Sequence, residues 1–358
     1  MDAKKLLAEL VAVPGPPGQE ERVRQIIAQY VAALGCRYRT DARGNLLIAS
    51  PGTSQVPEQA EIVVTAHLDE IALLVEQIEM DGRLRVVPLG GLLPWKCGEG
   101  TVTVMASTGD MTGVLGFGSI HTDSVESARS KASDGSLGWD TARVFTGLTK
   151  EALMELGVRP GTRVVIGPQR RSLTEFGEFI AGPFLDDRAD IAAMLLALEM
   201  LSHDSEWMSL QHKNRVVFAA TAAEEVMGHG ALNLFLALRP SVGVALEIGP
   251  RVPESPFDLD GSPTVWVNDG HSAMQAKDAD LVARVAKSIN MPLHWQALSR
   301  GGSDASIAAS HGLIARPFTI AFAAENSHGY EIMHKDAMMN LARLLIALLK
   351  DLVAHSGN

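Results

Sequence analysis

Cysteine is nearly missing from this chain: Cys36 and Cys97 are the two in 358 residues, and no Cys-x-x-Cys spacing occurs. That excludes a disulfide framework and a thiolate metal site, and it fits a reducing compartment. Aromatic residues make up 5%, which leaves few stacking platforms for sugars. Cations are outnumbered, with 31 Lys and Arg against 42 Asp and Glu for a formal charge of −11. Without a basic excess to displace counterions from phosphate, neither nucleic acid nor an anionic membrane is an expected partner. No apolar run reaches the roughly 18 residues of a membrane span. Residues 1–7 open an amphipathic helix and lack the apolar stretch and cleavage site of a signal peptide. The expectation is a cytoplasmic protein acting on small molecules or peptides.

What is present is core. Hydrophobic residues make up 46% and charged residues 20%, enough for one large domain or two. Residues 1–35 read as helix interrupted by Pro14-Gly15-Pro16-Pro17-Gly18, and 45–49 and 61–66 as buried strands. From 71 to 166 the texture changes to alternating segments such as Thr101-Val102-Thr103-Val104-Met105 between frequent glycines. This is the pattern of a small antiparallel β unit, with 121–143 as a long polar loop and a short helix capped by Thr149. Beyond Gly182 the rhythm is helix 191–201, strand 216–221, helix 231–238, strand 242–248, helix 279–289, extended 314–322 and a closing helix 336–355. Alternating strands and helices imply an α/β fold, a mostly parallel sheet sandwiched by helices. The early strands join that sheet only if the β unit is an insertion. The expected organisation is therefore a discontinuous catalytic domain, 1–70 with 167–358, and an inserted, barrel-like β domain, 71–166.

Candidate chemistry sits where apolar runs end: His67 and Asp69, Asp186 and Asp187, Glu224 and Glu225, and Glu247, with His328 in a fifth segment, 326–331. In a parallel sheet the carboxyl ends of strands share one edge, so distant residues converge there. Adjacent carboxylates such as Glu224 and Glu225 repel when ionised and require a cation, a shared proton or strong donors. Imidazoles and carboxylates without a soft ligand suit Zn²⁺, or Co²⁺ or Mn²⁺ in its place. A carboxylate such as Asp186 can bridge two such ions, while Glu224 and Glu225 divide a metal-facing and a water-facing role. Singly, each piece has an ordinary explanation: a His–Asp hydrogen bond, a helix cap, an acidic helix start. Their recurrence at successive strand ends is what points to a site.

Four ordered segments, Ala66-His67-Leu68-Asp69-Glu70-Ile71-Ala72, Gly182-Pro183-Phe184-Leu185-Asp186-Asp187-Arg188, Ala223-Glu224-Glu225-Val226 and Gly301-Gly302-Ser303-Asp304-Ala305, resemble the motifs of the tetrahedral and glutamyl aminopeptidases. These are cytosolic di-zinc metallopeptidases, some members of which were once described as endoglucanases. The resemblance implies a two-metal centre: His67 and Glu247 on one ion, Glu225 and His328 on the other, and Asp186 between them. It further implies Glu224 as general base and Asp69 as the group that orients His67. It implies cleavage of N-terminal residues from short peptides by metal-activated water, and a homo-oligomer, a tetrahedral dodecamer or a dimer, with the inserted domain at contacts and entrances.

Three positions depart from the family pattern. Glu247 stands where Asp is usual, Asp190 where glycine is common, and His328-Gly329-Tyr330-Glu331 where His-Ser-Pro-x-Glu is usual. Alternatives follow: an amidohydrolase or dipeptidase acting on a peptide-like metabolite, a metal-free glycoside hydrolase working through two carboxylates, or a shell protein that has lost turnover.

Overall fold

The structure, a computed structural model, describes residues 1–355 apart from 123, 126 and 136, and the backbone alone at 211 and 212. The chain forms two compact units, residues 1–69 with 173 onward, and residues 70–172. The second unit runs past 166 because the chain does not leave it at the end of strand Arg163–Ile166. The turn Pro168–Arg170 follows, and then Arg171 donates from Nε to the Ile166 carbonyl at 3.0 Å and pairs with the buried carboxylate of Glu70.

Among the described residues the first unit holds an eleven-stranded sheet. At its centre lie four parallel strands, in the order Val216–Thr221, Ile62–His67, Val242–Pro250 and Arg316–Glu325. Nearly every residue of these strands is buried, which is why they read as continuous apolar runs and not as alternating ones. Even-numbered positions such as Ile62, Val64, Phe218 and Val244 join a core with helices Ala3–Ala12, Leu185–Ser202, Ala276–Ser288 and Ala337–Ala354. Odd-numbered ones such as Val63, Val217 and Ala245 pack on helices His229–Leu238 and Asp304–Ser310. The sheet is thus covered on both faces, as the strand and helix alternation implies.

The flanks are antiparallel. Tyr38–Thr40 and Leu46–Ala49 extend one side, and Tyr330–His334, Phe179–Pro183 and Thr174–Phe176 the other. Pro263–Asn268 pairs antiparallel with Arg316–Glu325, and His294–Ala297 pairs parallel with Pro263–Asn268. Apart from Leu46–Ala49, which is apolar and buried throughout, these strands are short or carry polar residues and give no apolar run to read. Helix Leu185–Ser202 starts six residues before the expected 191, and its first six residues include Asp186, Asp187, Arg188 and Asp190, all buried. The polar face that a surface helix would show is here turned inward.

In the second unit, Ala72–Ile78, Leu84–Leu89, Arg143–Phe145, Gly109–Gly116, Gly100–Ala106 and Arg163–Ile166 close into a six-stranded antiparallel barrel. The segment expected as a loop, 121–143, contains helix Ala128–Ser133, whose cap Ser127 accepts the Ser130 N–H, and a 3-10 turn at Trp139–Thr141; its positions 123, 126 and 136 lie outside the described residues. Thr149 caps helix Lys150–Glu155 by accepting the Ala152 N–H, as expected. No helix among the described residues is long and apolar enough to cross a membrane.

Candidate metal centre

Strand register brings the candidate residues to one edge. His67 closes its strand opposite Thr221. The neighbouring strand is paired as far as Ala245 opposite Thr65, so Glu247, two residues on, lies level with His67. Glu224 and Glu225 follow Thr221 by one turn of chain. Asp186 enters from the first turn of its helix, after Phe184 in the left-handed region (φ 60°), and His328 from the turn before strand Tyr330–His334.

Two groups of ligand atoms result. One atom each from His67, Asp186, Asp187 and Glu247 lies within 4.8 Å of the others, and so does one each from Asp186, Glu225 and His328. Asp186 belongs to both. His67 Nε2 is 3.0 Å from Asp186 Oδ1, and His328 Nε2 is 3.6 Å from Asp186 Oδ2 and 3.8 Å from Glu225 Oε1. The five residues expected as ligands are brought together, and Asp187 is added to them.

The backbone around these groups is held largely by carboxylates. The His67 N–H donates to Asp187 Oδ2 at 2.6 Å. The Asp186 N–H donates to Glu331 Oε2 at 3.0 Å, and the His328 N–H to Glu331 Oε1 at 2.9 Å. Asp69, fully buried, accepts the Glu224 N–H on Oδ1 at 2.9 Å and the Glu225 N–H on Oδ2 at 3.1 Å. Its backbone carbonyl lies 3.1 Å from His67 Nδ1, nearer than its own carboxylate at 3.6 Å. Asp69 thus contacts His67 chiefly through its main chain, while its side chain pins the Glu224-Glu225 turn. Arg188, fully buried, donates to the Leu68 carbonyl between them.

So much buried negative charge shifts the titrating groups. Burial, reinforced by Glu224 and Asp186, raises Glu247 well above the ordinary carboxylate range. Burial also raises Glu224, with the charges of Asp304, Glu225 and Asp69 adding to it against the pull of His67. Asp187 is raised by burial and by Asp190, and Asp190 itself is pushed to about 7. Burial disfavours a charged His67, yet Asp187, Asp186 and Asp69 outweigh it and lift the imidazole well above its usual value. Ionising these carboxylates together requires compensation by a cation, a shared proton or strong donors.

The donors fit divalent ions. They are imidazole nitrogens and carboxylate oxygens in two sets sharing one carboxylate, and the buried Asp187 Oδ1 has no hydrogen-bond partner among the described residues.

Sequence reasoning named three supporting residues within motifs but gave them no role. Glu331 occupies an inward position in the alternating strand Tyr330–His334; a charge in a buried slot was its signal. Asp304 follows the cap Ser303 of a short helix and accepts the Thr221 hydroxyl at 2.6 Å, with burial lifting it to about 6. Asp190 was noted only as a departure, and it lies fully buried beside Asp187.

A family model described as M42 glutamyl aminopeptidase matches residues 44–344. The lysyl aminopeptidase of Pyrococcus furiosus is 28% identical over 317 residues, covering 85% of this chain and 84% of its own. The glutamyl aminopeptidase of Lactococcus lactis is 27% identical over 255 residues, covering 70% of this chain and 66% of its own. The TET1 peptidase of Pyrococcus horikoshii superposes with a TM-score of 0.83 at 25% identity, over 97% of this chain and 99% of that one. The matched span takes in every ligand candidate from His67 to His328, and the chain belongs to the M42 glutamyl aminopeptidase family.

Proposed function

We propose that this chain is a metal-dependent aminopeptidase that removes N-terminal residues from short peptides. The observation that carries the reading is the pair of ligand groups sharing Asp186, with Glu224 on the adjoining turn. Two Zn²⁺ ions, or Co²⁺ or Mn²⁺, would be held by His67, Asp186 and Glu247 and by Asp186, Glu225 and His328. When bound, such ions supply Lewis-acid polarisation of a carbonyl and neutralise developing charge.

The chain's own residues supply the rest. Glu224 accepts a proton from the attacking water and delivers it to the leaving amine, so that the water oxygen ends on the new carboxylate and its proton on the released peptide. A carboxyl raised by burial above its ordinary range is suited to take up the proton and pass it on. Asp69 holds the backbone of Glu224 and Glu225 together, so base and ligand keep a fixed separation. Glu247, one methylene longer than the Asp usual in the family, reaches further into the space for the substrate's amino end.

Replacing Glu224 with Gln removes the proton acceptor and keeps the shape. Hydrolysis of aminoacyl anilides should fall by about 10²–10⁴-fold with metal content unchanged; a metal-loaded variant that keeps its activity refutes the assignment. The longer Glu247 and the Gly329-Tyr330 turn favour a second reading, a dipeptidase or amidohydrolase acting on a peptide-like amide. Acylated dipeptides and small amides screened beside the anilides separate the two. Prolonged chelation tests the remaining glycosidase alternative, since two-carboxylate sugar hydrolysis survives it. The Pyrococcus horikoshii relative is described as assembling into a tetrahedron or a large octahedral shell. We assign this chain a similar homo-oligomer, a tetrahedral dodecamer, in the cytoplasm, with the barrel unit at contacts or entrances.

A further inference from the structure

We infer that Glu331 is a positioning residue that sets the affinity of the second ion site by clamping two ligand-bearing backbones with one carboxylate; the inference rests on the two-ion reading above. Asp186 and His328 both sit in backbone that no ladder stabilises. Asp186 has ψ 101° inside the first turn of its helix, and His328 has φ 61° after Asn326 at φ 64°. A left-handed conformation at a non-glycine residue is costly and persists only where its surroundings over-determine it. The N–H of each residue points to the same acceptor, Glu331, through one oxygen each, at 3.0 and 2.9 Å.

The acceptor is itself fixed. Glu331 is buried, in strand Tyr330–His334, in register opposite Gly182 on the strand that leads into Asp186. Both oxygens of its carboxyl are committed to these two amides. The clamp joins Asp186 and His328, 142 apart in sequence, and those two are members of a single ligand group, Asp186, Glu225 and His328. The other group shares only Asp186 with it. Loosening Glu331 therefore disturbs two of three ligands at one site and one of four at the other.

This asymmetry is testable on the full-length chain, stripped of metal and titrated with Co²⁺, whose d–d absorption reports the coordination of each ion. Glu331→Gln keeps the size but offers one acceptor oxygen and an NH₂ that faces a donor. Glu331→Asp keeps the charge but falls short of two amides. Both should take the first ion like the unsubstituted chain and the second about 10- to 100-fold more weakly, the usual cost of losing a group that orients ligands. A second ion bound normally by both variants overturns the clamp. So does normal binding by Glu331→Asp alone, which would make charge and not reach the cause, and so does loss of both ions together. Fewer than two ions on the unsubstituted chain refutes the two-ion reading itself, a failure visible without any variant. Hydrogen exchange on the metal-free, unsubstituted chain gives a check that needs no substitution: the Asp186 and His328 amides should exchange slowly, and exchange of either at the free-peptide rate overturns the clamp.

Discussion

Asp69 does two jobs with two parts of one residue. Its carbonyl lies against His67 Nδ1, and its carboxylate takes the amides of Glu224 and Glu225. Asn in its place keeps the carbonyl and one acceptor oxygen but turns an NH₂ toward one amide. Asp69→Asn should therefore keep its ions and lose about 10- to 100-fold in kcat, with KM little changed, measured on the same anilides with metal content assayed alongside. Equal loss of metal would mean that the carboxylate acts through His67 instead. The ligand candidates were legible because each ends an apolar run, where a charge stands out. The residue Glu331 was visible at the end of its motif, but its role was not, because its partners are backbone amides of Asp186 and His328, and an amide leaves no mark in a sequence. The division of labour within Asp69 was hidden for the same reason.

Helix His229–Leu238 shows how an element is fitted to the site. A Cβ on Gly230 would run into the Ala222 carbonyl and approach Asn45 Oδ1 to 2.5 Å and Ala222 N to 2.7 Å. Asn45 is the link there, accepting the Ala222 N–H at 2.9 Å and donating to the Gly230 carbonyl at 3.0 Å. Gly230 thus lets the helix lie against the segment that carries Glu224 and Glu225. Intrinsic propensity favours Ala over Gly in a helix by about 1 kcal/mol, yet overpacking such a contact costs about 1–3 kcal/mol. Gly230→Ala should therefore destabilise the protein in urea unfolding and lower its activity; a more stable, fully active variant would show that the contact relaxes freely. The parallel strands were plain in sequence because both their faces are buried. Flanking strands such as Thr174–Phe176 and Tyr330–His334 were not, since the first is three exposed residues and the second mixes exposed and buried positions over five, and sheet pairing, not local pattern, makes them strands. Helix Asp304–Ser310, seven residues long, is defined by its Ser303–Ser306 capping box, a signal carried by polar residues that also suit a loop.

At the scale of the whole molecule, the acidic cluster couples stability to metal. Carboxylates brought together on folding repel, and an ion that binds the folded chain alone stabilises it by about 2.7 kcal/mol at a hundredfold excess over Kd. Chelation should lower the thermal midpoint, and Zn²⁺, Co²⁺ or Mn²⁺ should restore it. Glu247 and Glu331, the latter pushed to about 8 by burial and by Asp186, hold protons in the metal-free fold that an ion must displace. The stabilisation should therefore shrink as pH falls from 8 toward 5; a midpoint indifferent to chelator at every pH would argue against the centre. The domain pattern was readable as a change of texture near residue 71, but its far boundary was not, because Arg171 returns to Glu70 after the last barrel strand.

The ligand candidates are scattered over the chain, from His67 through Asp186, Glu225 and Glu247 to His328, and the strands that carry His67 and Glu247 pair with segments far from them in sequence. A nascent or truncated chain that stops short of residue 328 has no third ligand for the second ion and lacks Glu331 to hold Asp186. The order of the chain therefore also sets a time: in a peptidase of the kind proposed, the second ligand set is complete only once residue 328 and the Glu331 behind it have been made.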